Sequence, residues 1–236
     1  VILEEEVPVF ASGLGTPGPF AQELKANGTT ILSLVGTARA AEQVAADGAD
    51  YVVAQGTEAG GHTGRIGTLA LLPQVMDAVA PTPVIAAGGI ASGRALAGVL
   101  AIGAEAGWCG TAFLVSEEAN QPDLQKDRIL AAATEDTIVT RLYSGKTMRN
   151  ISNPLIEAWE RSGVQALPMG AQALLIKDLT HSIREAGRED LLMNAAGQTS
   201  GMLKKRRPAK EILEEMVADA AQILGKDLGQ RVRASV

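Results

Sequence analysis

Tyr51-Val52-Val53-Ala54-Gln55-Gly56-Thr57-Glu58-Ala59-Gly60-Gly61-His62-Thr63-Gly64 is the stretch on which the reading of this chain turns. Tyr51 to Ala54 is a short apolar strand, and the ten residues after it hold four glycines. Such a loop reaches φ > 0 freely and lets backbone amides approach an anion. His62 sits inside it, one of two histidines in the chain, and can exchange a proton near neutral pH. A glycine loop with a histidine, at the C-terminal end of a strand, lies where α/β folds keep their chemistry.

The same strand-then-glycine grammar extends to both sides. Upstream, residues 7–11 read as a strand ending in Ser12-Gly13-Leu14-Gly15, and Pro17 and Pro19 open a helix that stops at Gly28. Residues 31–35 form the next strand; Thr37 then caps an alanine-rich helix that stops at Gly48. Downstream, a helix over 69–79 precedes Pro83-Val84-Ile85-Ala86-Ala87, which runs into Gly88-Gly89-Ile90. Ser92 caps a helix ending at Gly103, and residues 106–114 supply a fifth strand that contains Gly110-Thr111. Strand starts recur every 20 to 32 residues, the period of a repeated βα unit. Four of the five strands end in glycine. Convergence of many strand ends on one ligand is barrel behaviour, whereas a doubly wound sheet gathers its site at one switch point. The residues alone leave an α/β fold that is either a (β/α) barrel or a doubly wound sheet; the converging glycine ends lean towards the barrel, although five strands are visible where a closed barrel needs eight.

After Ser116 the periodicity turns helical, with helices expected over 122–133, 153–162 (Pro154 at the first helical position), 171–185 and 208–224, the last stopped by Gly225. Between them a loop over 144–150 carries Lys146 and Arg149. The expected organisation is a barrel portion over 1–116, a helical lid over 117–206, and a C-terminal helix over 207–236 packing back on the barrel.

Composition narrows the function classes. The chain is 46% hydrophobic but 3% aromatic, so its core is built from Ala, Val, Leu and Ile, as parallel strands under helices require. A formal charge of −6 argues against nucleic acid and anionic membranes as partners. Cys109 is the only cysteine, which leaves neither an internal disulfide nor a cysteine metal cluster, and no metal site is expected. No apolar run has the length of a membrane span and no signal peptide is visible, so a cytoplasmic protein is the default. The chain begins at Val1 without an initiator methionine, as a fragment or a processed start would.

Each motif carries two readings. His62 is either a histidine held by loop hydrogen bonds or a functional base, and the glycines around it, which remove packing partners, favour the second. Gly88-Gly89 and Gly110-Thr111 are either tight strand-to-helix turns or a phosphate site of the kind barrels form after their last two strands. Lys204-Lys205-Arg206-Arg207 reads as a solvated turn, His181 as structural, and Cys109 as a small core residue on a buried strand. Trp108 packs on a cofactor or fills the rim.

Residues 55–64, 83–90 and 103–114, with Ser144-Gly145-Lys146, Arg149-Asn150 and Gly197-Gln198 through Gly201, resemble the nitronate monooxygenase family, formerly called nitropropane dioxygenases. Glu58-Ala59-Gly60-Gly61-His62 is the most specific element, and it is shared with the flavin-dependent enoyl-acyl-carrier-protein reductases of the same superfamily. The resemblance covers essentially the whole chain. It implies a TIM barrel that binds FMN, with a helical lid after the eighth strand, and oxidation of alkyl nitronates or nitroalkanes with O2 to carbonyl compounds and nitrite. It implies His62 as catalytic base and flavin contacts from Gln55, Gly60, Gly61, Gly88, Gly89, Trp108, Cys109, Gly110 and Thr111, of which Gly89, Gly110 and Thr111 hold the phosphate. Trp108 stands where many members carry glutamine. Family members have roughly another hundred residues before this point, so the five strands are expected to be the fourth to eighth of the barrel. The rival expectations are NAD(P)H-dependent reduction of enoyl thioesters or quinones, and an inactive flavin-free fragment. A homo-oligomer is left open.

Overall fold

Apolar β-branched runs separated by capped, alanine-rich segments dictate alternating strands and helices. The structure, a computed structural model, describes residues 2–231; Val1 and residues 232–236, the end of the expected C-terminal segment, lie outside it. The strands in chain order are β1 (Val9–Ser12), β2 (Thr30–Val35), β3 (Tyr51–Gln55), β4 (Gly61–His62), β5 (Val84–Ala87), β6 (Ala106–Trp108), β7 (Thr137–Thr140) and β8 (Met148–Ile151). The helices are α1 (Gly18–Ala26), α2 (Ala38–Ala46), α3 (Thr68–Val79), α4 (Gly93–Ile102), α5 (Thr111–Leu114), α6 (Asp123–Ala131), α7 (Pro154–Ser162), α8 (Ala171–Leu175), α9 (Lys177–Glu185) and α10 (Ala209–Gln222). No helix among the described residues is long and apolar enough to cross a membrane. The chain divides into two compact units. The first is Val1–Thr57 with Gly64–Cys109 and Glu215–Val236; the second is Glu58–Thr63 with Gly110–Glu214.

The first unit holds a five-stranded parallel sheet in the order β1-β2-β3-β5-β6. Each new strand adds to the same side as the one before. A doubly wound sheet reverses its order at a switch point, and this sheet does not, so its topology is that of a (β/α) barrel. Alternation explains the burial of β2: Ile31, Ser33 and Val35 are buried while Thr30, Leu32 and Leu34 are half-buried. α2 packs on β2 and β3, and α3 on β3 and β5, which closes a core around Ile31, Val52, Val53, Leu71, Leu72 and Val75. Thr37 and Ser92 cap α2 and α4, accepting from Ala40 N and Ala95 N.

Register places the functional end. Gln55 pairs with Ala87, and Ala87 with Trp108, so β3, β5 and β6 finish level with one another. The fifth parallel strand is shorter than the sequence predicts: it stops at Trp108, and Thr111–Leu114 is helical. It is also not a buried strand, because it forms the sheet edge, with Ala106 and Trp108 exposed. Cys109 lies just past it and is half-buried.

The second unit corrects the expectation of a purely helical region. β4, β8 and β7 form a three-stranded antiparallel sheet, so His62 belongs to a short strand and not to an irregular loop. Two apolar clusters support it: Val115, Ile129, Ala132, Ile151 and Ala196, and Leu142, Tyr143, Ile156 and Ile176. The expected single helix over 171–185 is interrupted at Ile176, whose backbone opens to ψ 0° and whose side chain is buried in the second cluster. Gly225 does not end the terminal helix either. A π-helical turn, Ile223–Asp227, carries the chain through it, spanned by a Gln222 Nε2 to Asp227 Oδ1 bond of 3.0 Å at the i,i+5 spacing of that turn.

Candidate functional site

In the first unit the level strand ends bring Gln55, the Gly88-Gly89 turn, Trp108 and Cys109 to one side of the sheet. Gly88 and Gly89 have φ of 92° and 78°, which a residue with a Cβ adopts only under strain. The turn is held from behind by Thr68 Oγ1 donating to Gly88 O at 3.0 Å. The amides of Gly89 and Ile90 donate to no backbone carbonyl among the described residues, although Ile90 is buried. Two consecutive glycines at positive φ are a backbone conformation able to present amides to an anion. Trp108 is 37% exposed. Cys109 meets Met216 sulfur to sulfur at 3.8 Å, and burial pushes its thiol up, which makes it a poor nucleophile near neutral pH.

The second unit holds Gly60, Gly61, His62, Gly110 and Thr111. His62 is fixed by backbone on both sides: it pairs with Met148 across β4 and β8, Thr63 N donates to Thr147 O at 3.3 Å, and Thr147 Oγ1 donates to Thr63 O at 2.8 Å. Its Nε2 lies 2.9 Å from Ser144 Oγ. Burial, and secondly the nearby Lys146 ammonium, hold His62 below the usual imidazole range, so it is neutral at pH 7. A neutral imidazole can accept a proton while a nearby cation stabilises the negative charge left behind.

Packing within this unit gives Gly60 and Thr111 work of their own. A Cβ on Gly60 would come 2.6 Å from Ala196 C and Gly197 N. The contact is reciprocal, since Gly197 would collide with Glu58 O at 2.5 Å, and Gln198 N donates to Glu58 O at 2.9 Å. Thr111 Oγ1 accepts from Gly197 N at 2.9 Å. Gly61 (φ 74°) and Gly110 face open space: a Cβ on either would have nothing within 4 Å. Arg149 is buried opposite Gly61 on β8 and donates to Thr137 Oγ1 at 3.0 Å; desolvation lowers its pKa and the Glu58 carboxylate opposes that shift.

Ser144 as the partner of His62 is what sequence reasoning did not find. The two lie 82 residues apart, beyond any local periodicity, and the only sequence signal was the grouping of Ser144, Lys146 and Arg149 in one loop. No cluster of metal-ligating side chains occurs among the described residues.

The nitronate monooxygenase family model matches residues 1–219. A Mycobacterium tuberculosis protein whose name places it provisionally among monooxygenases is 40% identical over 234 residues, covering 96% of this chain and 62% of that protein. The chain thus spans less than two thirds of that relative's length. Among solved structures, a nitroalkane oxidase from Streptomyces ansochromogenes superposes with a TM-score of 0.86 at 34% identity, over 95% of this chain and 67% of its own. FabK from Thermotoga maritima gives 0.84 at 33% identity, over 97% of this chain and 73% of its own.

Proposed function

This chain belongs to the nitronate monooxygenase family, and on that premise we propose that the protein is a flavin-dependent oxidoreductase that oxidises alkyl nitronates and nitroalkanes. The observation that carries the reading is His62 on a backbone that the antiparallel sheet holds still, its Nε2 2.9 Å from Ser144 Oγ, with burial and the Lys146 ammonium favouring its neutral form. A nitroalkane carries an acidic proton on the carbon bearing its nitro group. His62 takes that proton, the C–H electron pair moves into the carbon–nitrogen bond, and the charge collects on the nitro oxygens. Lys146 supports that anion through space. A preformed nitronate enters already deprotonated and needs no base.

The cofactor that fits is FMN. The side-chain-free Gly88-Gly89 turn, with both residues at positive φ, would hold its phosphate, and Gln55 and Trp108, at the same ends of the parallel strands, would flank its ring. When bound, FMN supplies electron acceptance from the nitronate and reduction of O2, the chemistry that ends in a carbonyl compound and nitrite.

His62→Asn in flavin-loaded protein tests the assignment. Turnover of a neutral nitroalkane should fall by ~10² to 10⁴-fold, the usual contribution of a general base, while turnover of the preformed nitronate changes little. Equal loss with both substrates would make His62 a binding group, and no loss with either would make it structural.

A further inference from the structure

The turn Ser144-Gly145-Lys146 is built to hold one hydroxyl in place. Gly145 has φ 81°, and a Cβ there would lie 2.8 Å from Pro168 C and 2.9 Å from Met169 N, so the turn is pressed against the 167–169 segment. Gly145 N donates to Arg141 O at 2.9 Å, and Arg141 Nε donates back to Gly145 O at 2.8 Å. On this fixed turn Ser144 Oγ has three neighbours: Lys146 N at 3.2 Å, Lys146 O at 3.2 Å and His62 Nε2 at 2.9 Å. The His62 backbone is immobilised by its pairing with Met148, so the ring's orientation and tautomer are what remain to be set. Among the described residues the Ser144 bond is the ring's one hydrogen bond.

A hydroxyl has one hydrogen and two lone pairs. If Ser144 gives its hydrogen to Lys146 O, both lone pairs are filled, one by Lys146 N–H and one by His62 Nε2–H, and all three contacts become hydrogen bonds. If it gives the hydrogen to His62 Nε2, the contact with Lys146 O is lost and one lone pair is empty. The first arrangement makes three bonds where the second makes two. It also lets the ring accept a proton at Nδ1 without breaking any existing bond, because Nε2–H donates to Ser144 before and after.

We propose that Ser144 is a positioning residue that fixes His62 as the Nε2–H tautomer and so makes Nδ1 the nitrogen that receives the substrate proton. The second half rests on His62 being the base; the first half does not. The experiment is nitrogen-15 NMR of the histidine rings in flavin-loaded protein above the pKa of His62, assigned by difference against His62→Asn. The expected spectrum shows a protonated Nε2, an unprotonated Nδ1, and an Nε2 proton protected from exchange with water. Ser144→Ala should speed that exchange roughly threefold to tenfold, the factor one ordinary hydrogen bond is worth, and Ser144→Thr, which keeps the hydroxyl, should restore it. A wild-type ring protonated at Nδ1, or exchange unchanged in Ser144→Ala, overturns the proposal. The tautomer is read without turnover, so a His62 that fails as a base in the nitroalkane assay leaves the NMR result standing on its own.

Discussion

Gly60→Ala asks whether the approach between the Gly60 loop and the Ala196–Gly197 segment holds the second unit together. The new Cβ would sit 2.6 Å from Ala196 C and Gly197 N and 2.7 Å from Ala196 Cα, where carbon atoms prefer roughly 3.5 to 4.0 Å. All three are backbone atoms and Ala196 is fully buried, so no side chain can swing aside and one segment must retreat by about 1 Å. Overpacking of this kind costs about 1–3 kcal/mol. The retreat also stretches Gln198 N to Glu58 O and Gly197 N to Thr111 Oγ1, both 2.9 Å, each worth about 0.5–1.5 kcal/mol. The expected loss is therefore about 2–6 kcal/mol. Gly61→Ala is the control one residue away: nothing lies within 4 Å of its Cβ, and only the φ of 74° is penalised, at about 1–2 kcal/mol. Urea unfolding of the two variants with matched m-values measures both. A Gly61→Ala loss equal to or larger than that of Gly60→Ala would refute the packing argument.

Helix caps should rank by what else the cap residue holds. Thr37→Ala and Ser92→Ala each remove one cap bond and should cost about 1 kcal/mol; Asn153→Ala should cost more, because its buried amide also donates to Tyr143 Oη and Leu192 O, and equal losses in urea unfolding would contradict this. For His62 the sign is fixed by its lowered folded pKa: the unfolded chain binds the proton first, so this group makes stability fall as pH drops below the ordinary histidine range towards the folded value. Lys146→Gln removes the smaller of the two causes, so an NMR titration should show the His62 pKa rising while staying below the ordinary value; no rise would mean that Lys146 does not act on the ring.

The parts of this molecule that local chemistry dictates were legible in the sequence. Thr37, Ser92 and Asn153 stand where cap residues are expected and make the cap bonds, and the glycines after β3 and β5 mark strand ends that register brings level. The antiparallel sheet was not legible, for two physical reasons. Thr137-Ile138-Val139-Thr140 is β-branched throughout but only four residues long. Met148-Arg149-Asn150-Ile151 is buried at every position although half of it is polar, and what makes that tolerable is remote or local pairing, such as Arg149 with Thr137 and Asn150 Nδ2 with Met148 O. The short apolar run Thr111–Leu114 fits strand or helix equally by pattern, and the structure makes it helix. Ser144 beside His62 needed tertiary structure.

The most direct test of the flavin-dependent nitronate oxidation proposed for this protein is a single anaerobic mixing experiment. Flavin-loaded protein is mixed with propyl-2-nitronate in one syringe drive and with NADH or NADPH in another, and the flavin absorbance near ~450 nm is followed, since the redox chemistry resides in the cofactor. Rapid bleaching by the nitronate is expected, and none on that timescale by either nicotinamide. Rapid bleaching by NADH or NADPH with an inert nitronate would contradict the proposed oxidation, and protein that takes up no flavin would contradict it more deeply.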